Sequence, residues 1–197
     1  QTVSGTLTAP TPPGNVTDTL QGISTSNISG PTAGYTVSSN SPISGTQGSS
    51  FSTSAFGLIA TANTGYEFSG GATTLGGTYN QPTSTYGSNT TTGSFPLGSS
   101  VSLITYNVTY SVDTSGVTNN SGSPFNLVPG DDFSGTAQGN PGIQITSGGS
   151  ATASVQLVPV DGTTSGTISD SVTVNPVTSN QNISLTLSGT IEPSSGF

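Results

Sequence analysis

The sequence predicts an all-β fold of sandwich type, and three observations carry that expectation. The apolar residues are mainly Val, Ile, Leu, Phe and Tyr, set in short runs that alternate with Thr and Ser, the pattern of half-buried strands. Clusters of Gly, Pro, Asn and Ser interrupt the chain roughly every eight to twelve residues, the turn spacing of a β-sandwich. No stretch carries a helical period. Hydrophobic residues make up 28% of the 197, below the roughly 45–50% apolar content, glycine included, of an average domain, although the 28 Gly bring this chain nearer to it. Disordered chains, however, are poor in the β-branched and aromatic residues that this one retains.

The chain divides by pattern into a leading segment over 1–10, a β-rich sandwich domain over 11–104 and a second sandwich over 105–197. The leading segment alternates Val3, Gly5 and Leu7 with Ser4, Thr6 and Thr8 and ends on Pro10–Pro13, a stiff linker. In the first domain, Gly34–Val37, Phe51–Phe56, Leu58–Ala62 and Tyr66–Phe68 read as strands. The Gly/Thr/Ser-rich stretch from Ser69 to Ser94 reads as either a long surface loop or a set of weak strands. From Ser100 to Val112 alternation is clear, with Val101, Leu103 and Thr105 on one face and Tyr106, Val108, Tyr110 and Val112 on the other. That change of phase predicts a bulge or a strand junction near Ile104–Tyr106. Further strands are expected at Gly142–Thr146, Ala151–Val158, Gly166–Val174 and Asn182–Ile191. In the last, Ile183, Leu185 and Leu187 alternate with Ser184, Thr186 and Ser188.

One internal similarity bears on organisation. Val3-Ser4-Gly5-Thr6-Leu7 matches Leu187-Ser188-Gly189-Thr190-Ile191, and a proline, Pro10 or Pro193, follows each within three residues. Both look like a closing strand and its exit turn. On one reading residues 1–9 close a preceding unit; on another they are donated to a neighbouring subunit by β-augmentation. Val3, Gly5, Leu7, Leu185, Leu187 and Ile191 are the assembly candidates.

From Gly142 onward the order of elements is more specific. Ile143-Gln144-Ile145 is followed by Gly148-Gly149-Ser150-Ala151-Thr152-Ala153, then Val155-Gln156-Leu157-Val158-Pro159. Gly166-Thr167-Ile168, Val172-Thr173-Val174 and Ile183-Ser184-Leu185-Thr186-Leu187-Ser188-Gly189-Thr190 complete the order. This half resembles the immunoglobulin-like repeats of the ASPM/SPD-2/Hydin type and related bacterial surface domains. The resemblance implies tandem immunoglobulin-like β-sandwich domains, and it implies little about function, because one fold hosts many.

Charge excludes more than any motif suggests. Eight carboxylates stand against no Lys, Arg or His, a formal charge of -8. Neutralising nucleic-acid phosphates requires Lys or Arg, so nucleic acid is excluded as a partner. An anionic membrane surface attracts basic segments, and no apolar run approaches the roughly 20 residues of a spanning helix, so direct membrane insertion is not expected. Without His, Cys or Lys the chain has no base for a serine triad, no thiolate and no Schiff-base amine. No enzymatic activity is expected. Trypsin has no site to cut, which suits a chain exposed to proteases.

The remaining candidates are few. Asp131-Asp132, beside Gly130, is the one adjacent acidic pair and a weak calcium candidate; Ca²⁺ takes six to eight oxygens, and Asp113 or Asp161 would have to supply a third carboxylate. No cofactor is otherwise implied. Tyr66, Tyr79 and Tyr86, among Asn and Thr, could stack on surface glycans. Sequons begin at Asn15, Asn27, Asn89, Asn107, Asn119 and Asn182. The expected function is a structural or adhesive component of an extracellular surface filament or repeat adhesin, bacterial by the resemblance, with copies of itself or flanking repeats as partners. A virion fibre or capsid decoration protein is one alternative, and a carbohydrate-binding module is another.

Overall fold

A computed structural model describes residues 4–79, 84–88, 90–134, 142–160 and 167–193. Val3, Asn89 and Asp161, named above, lie outside the described residues. The fold is all-β, with two single-turn 3-10 helices at Thr32–Gly34 and Thr53–Phe56 among the described residues. The chain forms two compact units, Gln1–Ser102 and Leu103–Phe197.

The first unit contains β1 (Asn15–Ser24), β2 (Ile28–Ser29), β3 (Tyr35–Ser38), β4 (Ile43–Thr46), β5 (Ser50–Phe51) and β6 (Ile59–Ala62). They are followed by β7 (Tyr66–Phe68), β8 (Thr74–Gly76), β9 (Thr78–Tyr79), β10 (Ser84–Thr85), β11 (Thr90–Ser94) and β12 (Ser99–Leu103). Four small sheets result, in the orders β4-β1-β11-β9, β10-β5, β2-β12-β7 and β3-β6-β8. Ile28, Leu58, Ala60, Phe68, Phe95 and Val101 form the core. Early and late strands pair in parallel, β1 with β11 and β2 with β12. The close approach at β12 depends on Gly30, where φ is +110° and a Cβ would stand 2.2 Å from the Val101 carbonyl oxygen.

Several expectations change here. Phe51–Phe56 is not one strand: after β5 the Ser52 side chain accepts from Ser54 N and caps a 3-10 turn that buries Phe56. Of the two readings of Ser69–Ser94, the described residues give strands, and β11 lies inside a four-stranded sheet rather than at its edge. Ser4–Ala9 forms no strand and is exposed throughout, and no described residue pairs with it.

The second unit contains β13 (Thr105–Asn119), β14 (Phe125–Pro129), β15 (Ile143–Thr146), β16 (Ala151–Pro159), β17 (Ile168–Val174) and β18 (Gln181–Ile191). Two three-stranded sheets, β15-β13-β18 and β14-β16-β17, pack in a sandwich-like arrangement on one core. One layer contributes Val108, Tyr110, Ile183, Leu185, Leu187 and Ile191, and the other contributes Ala151, Ala153, Val155 and Leu157. Small residues on β16 leave room for Tyr110, whose ring meets Phe133 edge-on with centroids 4.9 Å apart. The phase change in the sequence falls at Ile104, between the end of β12 and the start of β13. Val101 is buried, but Leu103, assigned to the same face, is 38% exposed where the chain leaves the first unit's sheet.

Parallel closure recurs in this unit. β13 pairs in parallel with β18 from Val108↔Gln181 to Asn119↔Ile191, with a bulge between Asp113 and Gly116. Beyond Val108 the opposite side of β13 has no strand partner among the described residues, because β15 covers only Thr105–Val108.

Candidate functional site

The carboxylates show how a chain without cationic side chains places its charge. A carboxylate stabilised by backbone N–H donors needs no counter-ion, and such charge-assisted bonds are stronger than neutral ones. Each described aspartate accepts from at least one main-chain amide. Asp18, fully buried on the inward face of β1, accepts from Gly87 N at 3.2 Å. Asp113 accepts from Ser115 N at 2.9 Å, and this bond, helped by the Ser115 hydroxyl, holds its carboxyl below the usual 3.8. Asp170 bridges the two sheets of its unit, taking Ser171 N at 2.9 Å and Thr186 N at 3.0 Å.

Asp131 and Asp132 serve the same purpose. Asp131 accepts from Phe133 N through one oxygen and from Ser154 N through the other, and Asp132 accepts from Thr152 N at 3.0 Å. The pair therefore pins the turn after β14 to alternate residues of β16 and seats Phe133 in the core. Among the described residues no three His, Cys, Asp or Glu side chains gather where they could share a metal ion. The two adjacent acids, the weak calcium candidate, thus reach two amides one β-repeat apart, and Asp161, one of the possible third carboxylates, lies outside the described residues.

The tyrosines do not share one surface. Tyr66 packs against the first unit's core, where its ring covers Gly34 so closely that a Cβ there would stand 2.9 Å away. Tyr79 and Tyr86 belong to an aromatic cluster with Phe51 and Phe56: Phe51–Tyr86 centroids are 4.8 Å apart and Phe56–Tyr79 5.2 Å. Tyr86 also lies on Gly45, whose added Cβ would be 2.2 Å from the ring. A cavity of about 160 Å³ between Leu20, Phe56, Leu58 and Tyr79 adjoins this cluster. It is smaller than the roughly 300–1,000 Å³ of ordinary ligand clefts. The sequence alone suggests exposed tyrosine platforms and does not bring in Phe51 and Phe56; the signal available was the pairing of two Phe with two Tyr across Gly-rich strands.

Four sequon amides are used by the fold. Asn27 donates to the Phe95 carbonyl, and Asn107 accepts from Gln144. Asn119 donates to the Ser123 carbonyl and accepts from Ser121 N, closing the turn into β14. Asn182 bridges β18 to β13 through Thr109 and Ser111, both at 2.8 Å. Asn15 is exposed on β1.

The assembly candidates separate sharply by environment. Leu185, Leu187 and Ile191 are buried within β18, whereas Leu7, the counterpart of Ile191, is 100% exposed, and nothing lies within 4 Å of a Cβ built on Gly5. A groove of about 360 Å³ runs between the end of β13 and the open edge of β14, lined by Thr114, Val117, Asn119, Phe125, Leu127 and Leu157. These two features are the candidate functional site: among the described residues, a strand-patterned segment without a sheet, and an apolar seam between strand edges without a strand. No protein-family model, no curated protein and no solved structure matches the chain.

Proposed function

We propose that the chain is a non-catalytic structural or adhesive component of an extracellular surface filament or repeat adhesin, built from tandem immunoglobulin-like sandwich units. The observation that carries the reading is the repeated closure: in each unit an early strand pairs in parallel with a late one, β1 with β11 and β13 with β18. Units of that kind suit end-to-end arrangement, and the order of elements from Gly142 to Thr190 that resembles ASPM/SPD-2/Hydin-type repeats supports it. The absence of trypsin sites and the amide-held carboxylates suit a surface exposed to proteases and to changing ions.

The test is immunolabelling of intact and lysed producing cells, with electron microscopy of the labelled material. Label on intact cells along thin filaments supports the reading. Label seen only after lysis overturns it, and label on released particles would transfer the chain to the virion alternative. Glycan-array binding lost in Tyr79→Ala would favour a carbohydrate-binding module.

A further inference from the structure

We propose that the seam between β13 and β14 is an acceptor groove for residues Ser4–Ala9 of a second copy of this chain. The inference rests on the filament reading and names the contact through which copies would join.

The donor is defined by what it lacks. Gly5, Leu7 and Ala9 alternate with Ser4, Thr6 and Thr8, a strand pattern with one face of small and apolar residues. No described residue pairs with it, and Leu7 is wholly exposed. A leucine fixed in that state leaves its whole apolar side chain in water, which burial against another apolar surface would relieve. The acceptor lacks the complementary element. β14 is the terminal strand of its sheet, and β13 has no partner beyond Val108 on the side away from β18, among the described residues. The partly buried Val117, Phe125 and Leu127 lie between these two edges, above the buried Leu157. An open edge with apolar side chains beside it is a template for an added strand.

Length and charge fit the same occupant. Six extended residues span about 20 Å, and the five of β14 about 17 Å. The chain carries eight carboxylates and no cationic side chain, so the charges of two copies share one sign, but residues 1–17 contain no acid. An uncharged donor approaches such a surface without like-charge cost.

The chain has no cysteine, so introduced thiols report alone. Full-length Leu7→Cys protein is mixed with Val117→Cys protein under mild oxidation, and in parallel with Leu97→Cys protein, since Leu97 is 84% exposed and outside the groove. Docking raises the local thiol concentration, so the Val117 mixture should yield about tenfold or more mixed disulfide than the Leu97 mixture. In light scattering of chains without added thiols, Leu7→Asp should reduce assemblies to the 19.3 kDa single chain. Leu7 touches nothing, so that variant folds. Equal yields in the two mixtures, or assemblies unchanged by Leu7→Asp, overturn the groove assignment. Filaments on intact cells together with that result would leave the filament reading standing; a strong cross-link with no surface label would leave the groove and remove the filament.

Discussion

Single residues in this protein are placed by main-chain amides where other proteins use Lys or Arg. Replacing Asp131 by Asn removes the charge that Phe133 N and Ser154 N share, and hydrogen bonds to charged groups contribute about 1.5–3 kcal/mol each. Asp131→Asn should therefore lower the unfolding free energy by about 1.5–3 kcal/mol, read in a denaturant titration as a lower midpoint with an unchanged slope. Asp113 gives the pH dependence. Its folded carboxyl titrates below its unfolded value, so its contribution is complete above about pH 4 and is lost as pH falls through the folded pKa. Asp113→Asn should flatten that region of the acid limb in a pH series of thermal melts. At Gly45 the Tyr86 ring leaves no room for a methyl group, and Gly45→Ala should cost about 1–3 kcal/mol through overpacking. None of these roles was legible in the sequence. A carboxylate that accepts a distant amide looks the same in sequence as one in a solvated turn, and Asp18, buried at the centre of a strand, carried no local sign.

Among the elements, those whose partners are signalled locally were legible. The sequence predicts a strand at Asn182–Ile191 because Ile183, Leu185 and Leu187 alternate without interruption, and β18 spans Gln181–Ile191 with all three buried. Leu185→Ala should cost about 2–5 kcal/mol, measured by chemical denaturation, because it opens a cavity in the second unit's core, where Leu185 is buried. β14 is absent from the sequence reading because Phe125-Asn126-Leu127-Val128-Pro129 is short and ends on proline, and β11 falls in a stretch left open between loop and weak strands because Thr-Thr-Thr-Gly-Ser has almost no apolar signal. β11 is held by pairing on both sides, a tertiary effect that outweighs its weak pattern. Parallel closure was likewise invisible, since it joins residues about seventy positions apart. The leading segment shows the reverse: its pattern predicts a strand, but a strand needs a paired edge, and no described residue pairs with Ser4–Ala9. Of the candidate site, then, the strand-like pattern of the leading segment was legible and the apolar seam was not.

Across the whole molecule the side-chain charges share one sign. Net repulsion among carboxylates opposes compaction, and added salt screens it. Thermal midpoints should rise modestly between about 0.01 and 0.5 M sodium chloride, where the Debye length shrinks from about 30 to under 5 Å; a fall would mean that amide–carboxylate contacts dominate. Parallel closure also decides how a unit would carry tension. The N-terminal ends of β13 and β18 lie side by side, so the chain enters the second unit at one end of that ladder, at Thr105, and leaves it at the other, at Ile191. Pulling on those two points drags the strands past each other lengthwise. The hydrogen bonds are then loaded together in shear, whereas in a hairpin pulled at its open end they would break in succession, so the pair that closes the sandwich is also its tether.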